Sequence, residues 1–141
     1  QIAERGIDAL DQMRAEREFR TLIRAVSPRK IDEAPQVLIE GAAVAVLLQP
    51  SLQASTACAR PGAPVVRLTV ERGALVCSSD GRRRVLLRWQ ADRAGALSYS
   101  ADGVAWRANW SDAAAPYVRF ELRRGARVET SWAEHGMGAA P

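Results

Sequence analysis

Few side chains in this sequence could do covalent chemistry. His135 is the one histidine, so neither a Ser/His/Asp triad nor a multi-histidine metal site can be assembled. It falls in the Gly- and Ala-rich stretch EHGMGAAP, where it is a poor base for a thiolate at Cys58 or Cys77. Asp8 and Asp11 share one face of a predicted helix and could serve acid/base work, but a solvated polar face accounts for them more simply. No GxGxxG, P-loop or other phosphate-cradling glycine series occurs. The expectation is therefore a protein with no catalytic residue, no metal and no cofactor, and not an enzyme.

The remaining candidates bind rather than react. Cys58 and Cys77 have the wrong spacing for a metal site or a CxxC redox motif. That leaves a single bridge or two idle thiols; the bridge, which is the expectation, would close a loop of about 20 residues, a gain of ~3 kcal/mol in the chain-entropy estimate, and would imply an oxidising compartment. The tryptophans Trp89, Trp106, Trp110 and Trp132 could stack on a sugar or peptide, with Trp106 and Trp110 as the platform. The simpler expectation for the set is core packing, with Trp110 the one placed at the surface. The net charge of +4 comes almost entirely from arginine, since Lys30 is the only lysine. The runs Arg82-Arg83-Arg84 and Arg123-Arg124 stand beside turn glycines and read as solvated hairpin loops. Without stacking aromatics among them, nucleic acid is not an expected partner.

What must position these residues begins with a helix. Residues 1–27 contain no proline and one glycine, Gly6, and are rich in Ala, Leu, Arg, Glu and Gln. Such a helix reaches roughly 40 Å and ends at Ser27-Pro28, because the residue before proline is pushed out of helical geometry. Its apolar residues fall on two opposed sides. Ile2, Ala3, Ile7, Leu10 and Met13 cluster on one, and Phe19, Leu22, Ile23 and Val26 on the other. The second set is expected on the body's own core. The first set, Ile2, Ile7, Leu10 and Met13, is expected to bind a partner.

The rest reads as short strands. With 48% apolar residues the chain supports a real core. Residues 28–35 form a charged connector, 36–49 one or two strands around Glu40-Gly41, and 50–64 a proline-rich loop that Cys58 would tie down. Alternation then marks hairpins. Asp102-Gly103 predicts a two-residue turn that pairs Tyr99 with Trp106, and a three-residue turn at Arg123-Arg124-Gly125 sets Phe120 opposite Val128. The expected organisation is an N-terminal helix (1–27), a β-rich head (28–134) and a flexible tail (135–141). The expected fold class is α+β, a long N-terminal helix packed on a mostly antiparallel β-sheet body. No apolar run is long enough to span a bilayer.

In order, a helix ending REFRTLIRAVSPR followed by VRLTVERGALVCSS, GRRRVLLRW, LSYSADGVAWRANW and APYVRFELRRGARVETSW resembles the J-type minor pseudopilins of the bacterial type II secretion system. The matching motifs fall on Leu68 to Val76, Val85 to Leu87, Tyr99 to Trp106 and Pro116 to Leu122; Cys77 stands where the family usually carries arginine. Other minor pseudopilins and the minor pilins of type IV pili share the helix-plus-sheet plan. The resemblance implies a non-enzymatic structural subunit with a pilin-like fold. It would assemble with I-type and K-type minor pseudopilins in a tip complex that initiates or caps the pseudopilus during protein export. It also implies a single-pass protein of the bacterial inner membrane, anchored through an N-terminal apolar segment removed from this chain, with its head in the periplasm. The rival expectation is a periplasmic or secreted carbohydrate- or peptide-binding β module.

Overall fold

A computed structural model describes residues 2–24, 39–48, 58, 65–112 and 115–136, with the side chains of 2–8 and 39–40 outside the described set. Helix α1 (Ile2–Arg24) is followed by β1 (Ile39–Gly41), β2 (Ala45–Leu48), β3 (Val66–Glu71), β4 (Ala74–Ser79) and β5 (Arg82–Arg88). Then come β6 (Arg93–Ser100), β7 (Trp110–Asp112), β8 (Tyr117–Arg124) and β9 (Arg127–His135). The strands form two antiparallel sheets, ordered β5-β4-β3-β2-β1-β7 and β6-β8-β9.

This corrects the expected α+β class. Strand accounts for 56% of the structure, in two antiparallel sheets rather than one body beneath a long helix. The reason lies in the pattern of the strands. Val66 and Leu68 on β3, Leu75 and Cys77 on β4, Leu97 and Tyr99 on β6, and Val118, Phe120 and Leu122 on β8 are all buried. β3, β6 and β8 thus each turn an apolar row inward, β4 is buried on both faces, and the buried residues of both sheets merge into one core. Two facing apolar sheets need little helix to complete them. Among the described side chains of α1, Ala15, Phe19, Leu22 and Ile23 join that core, where the helix lies against one strand of each sheet, β5 and β9. Val26, expected beside them, lies outside the described residues.

Two predicted turns form differently. At Asp102-Gly103 no two-residue hairpin closes, because side chains capture the backbone first. Asp102 Oδ1 accepts the N–H groups of Val104 at 2.8 Å and Ala105 at 3.0 Å, while Ser100 Oγ accepts that of Gly103 at 2.8 Å. Tyr99 therefore exchanges two 2.8 Å backbone bonds with Arg107, not Trp106. In the last hairpin Arg124 pairs with Arg127, so Gly125 (φ 58°) and Ala126 make a two-residue turn. Glu129 is the extra residue of a bulge, since Arg123 faces Val128 and Leu122 faces Thr130. That bulge restores the apolar register and places Phe120 opposite Trp132 rather than Val128.

The basic runs are also strand rather than loop. Ser79 pairs with Arg82 across Asp80-Gly81, so Arg82-Arg83-Arg84 begin β5, and Arg123-Arg124 end β8. Gly41 sits against Tyr99 so closely that an added Cβ would land on the phenol ring. The buried Tyr99 hydroxyl donates to the carbonyls of Ala42 at 2.8 Å and Ala45 at 3.3 Å.

Candidate functional site

The helix faces two environments. At 100° per residue the buried Ala15, Phe19, Leu22 and Ile23 occupy an arc of roughly 100°, and Leu10 lies roughly 170° and Met13 roughly 130° from its centre. Those two are 54% and 60% exposed, among the large apolar side chains the fold leaves in water. Ile2 and Ile7, expected on the same face, have side chains outside the described residues.

Docking of the inner face is held by apolar contact and by a chain of charges. The Phe19 ring packs 5.8 Å from Trp132, which packs 5.3 Å from Phe120. Arg20 Nε donates to Glu16 at 2.9 Å, and its Nη1 donates to the Ala133 carbonyl at 2.6 Å and to Glu134 at 3.3 Å. Arg24 approaches Glu134 at 3.6 Å. Burial works against the Arg20 charge, but the bonds to Glu16 and Glu134 outweigh it and hold its pKa above the ordinary value. These partners fix how the helix is turned, and so which side chains it shows outward.

Cys58 and Cys77 form a disulfide, with Cα atoms 5.9 Å apart, and both are buried. Neither therefore offers a thiolate. His135, expected in the tail, ends β9 and stacks on Tyr117 at 4.0 Å. Among the described residues no three His, Cys, Asp or Glu side chains gather as metal ligands, and no helix is long and apolar enough to cross a membrane.

The tryptophans separate in a way their sequence context does not reveal. Trp110, expected at the surface, is only 6% exposed, with the Arg107 guanidinium 4.8 Å over its ring. Trp106 is half-buried, and Arg119, held by Ser98 at 3.0 Å, covers its ring at 4.3 Å. They do not form a bare platform. Trp89 instead packs 5.8 Å from Phe120 and lines a cleft of about 790 Å³ between α1 and the two sheets. The sequence carries a signal for this cleft. Asp11 and Gln12 fall at the continuation of the buried helical stripe, where apolar residues would be needed to close the core. Comparison with protein-family models, with curated proteins and with solved structures gives no match.

Proposed function

We propose that the chain is a non-enzymatic assembly subunit, a J-type minor pseudopilin that joins I-type and K-type partners at the tip of a type II secretion pseudopilus. The observation that carries this reading is the helix with two apolar faces, one docked through Phe19, Leu22 and Ile23, the other presenting Leu10 and Met13 to solvent. Covering two half-exposed aliphatic side chains in a partner would add ~1–2 kcal/mol each to association. The ordered motifs from Leu68 to Leu122 support the choice of family. The Cys58–Cys77 bridge supports a periplasmic head, since disulfides persist in oxidising compartments. Anchoring in the inner membrane through an apolar segment upstream belongs to the same proposal.

The test is association with an I-type minor pseudopilin, followed by analytical ultracentrifugation. Leu10→Glu and Met13→Glu are expected to weaken the 1:1 complex at least tenfold, each charge being costly in a covered apolar contact. Circular dichroism of the isolated variants should be unchanged. Wild-type association by both variants would sink the proposal.

A further inference from the structure

The cleft beside Trp89 carries polar side chains on both of its walls. Along the helix the inward stripe is apolar at Ala15, Phe19, Leu22 and Ile23, then turns polar at Asp11 and Gln12 where the cleft opens. The opposite wall carries Trp89, Arg88 and Gln90 at the end of β5, and Thr130 comes from β9. Trp89 lies close to β6 because Gly95 has no side chain; a Cβ there would stand 3.0 Å from the Trp89 and Phe120 rings.

The charges in the cleft balance. Arg93 is bound to Glu129 at 2.7 Å, and Arg88 and Asp11 add one charge of each sign without an ion-pair partner among the described residues. Such a lining has no net preference for a cation or an anion. It does supply planar groups that bind two neighbouring hydroxyls at once, namely a carboxylate, a guanidinium and two amides. It adds one aromatic ring for an apolar C–H face. The volume lies within the range of small-ligand pockets. These are the features that recognise a neutral pyranose.

We propose that this cleft binds a neutral saccharide, with Trp89 against a sugar face and Asp11, Gln12, Arg88 and Gln90 on its hydroxyls. The site faces away from Leu10 and Met13, and binding requires no partner subunit, so its failure would leave the assembly reading untouched.

The test is titration of the isotope-labelled chain with maltose, cellobiose and N,N′-diacetylchitobiose, followed by nuclear magnetic resonance. The Trp89 indole N–H is identified by its loss in Trp89→Phe. At least one disaccharide should shift that signal and the Gln12 and Gln90 side-chain amides saturably. The double variant Asp11→Asn with Gln12→Ala alters two exposed helix positions, so the fold should persist while affinity falls at least about tenfold, as expected for losing hydrogen bonds that include a charged group. Three disaccharides without effect would overturn the proposal. So would binding that the double variant leaves intact, or shifts centred on Trp106.

Discussion

Truncating Phe19 to alanine tests whether the helix is part of the core or a loosely attached strand cover. Phe19 is fully buried and begins an aromatic series that runs through Trp132 to Phe120, at centroid distances of 5.8 and 5.3 Å. Removing its ring loses the transfer energy of a large side chain and leaves a cavity bounded by rings held in strands. Phe→Ala at such sites costs ~3–5 kcal/mol. Against the ~5–15 kcal/mol of a typical domain, that is enough to move the unfolding midpoint strongly. Leu10→Ala is the control, since its side chain is half exposed and leucine and alanine have similar helix propensity; its effect should stay within ~0.5 kcal/mol. Urea unfolding would be followed by tryptophan fluorescence and far-ultraviolet circular dichroism together. Coincident transitions with an unchanged slope mean that helix and sheets unfold as one unit. A Phe19→Ala cost below ~1 kcal/mol, or a Leu10→Ala cost equal to it, would refute the assignment of the two helix faces.

Gly41→Ala forces a methyl group onto the Tyr99 ring and should destabilise by at least ~1–3 kcal/mol, measured by the same unfolding experiment. Burial pushes the Tyr99 phenol above its ordinary pKa of 10.0, so folding favours the neutral form. The resulting stability is intact below the unfolded-state value and is lost as pH rises through the folded one, which spectrophotometric titration of tyrosinate alongside unfolding would follow. Asp102 is held down at about 2 by the backbone N–H groups of Ala105 and Val104, then by the Ser100 hydroxyl. Its contribution is present above the ordinary value of 3.8 and fades as pH falls through the folded value. The Val104 and Ala105 amide resonances should therefore move between those pH values, and Asp102→Asn should abolish that titration. Reducing the Cys58–Cys77 bridge opens a loop with sequence separation 19 and should cost ~3 kcal/mol, with Cys58→Ser/Cys77→Ser reproducing the loss in unfolding measurements.

The opposed helix faces and most strand positions were legible before any coordinates, because both depend on side-chain period along a single element. Phe19, Leu22 and Ile23 are buried and Leu10 and Met13 exposed in the pattern that 100° spacing gives. The two cysteines left either a bridge or two idle thiols open, and the fold brings them together as a bridge. The turn glycines of the first hairpins and the apolar row of β3 are also local features, whereas Glu40-Gly41, expected to separate two strands, lie within β1, and the chain turns after them at 42–44.

Other outcomes rested on competition between elements. A short dipeptide could not reveal that Ser100 and Asp102 would take the backbone N–H groups a hairpin needs, or that a bulge at Glu129 would restore Phe120 to Trp132. The overall class rests on the same kind of competition. Helix length is visible in sequence, but whether a helix covers one sheet or fills a seam between two depends on strand order, which pairs residues far apart in the chain. The tryptophans show the limit most plainly. Trp89 and Trp110 both sit in polar surroundings in sequence, yet Trp110 is buried under Arg107 while Trp89 lines the cleft. Sequence determined which side chains each element could turn inward. Only the meeting of α1 with β5 and β9 decided where that inward face would find a core and where it would find open space.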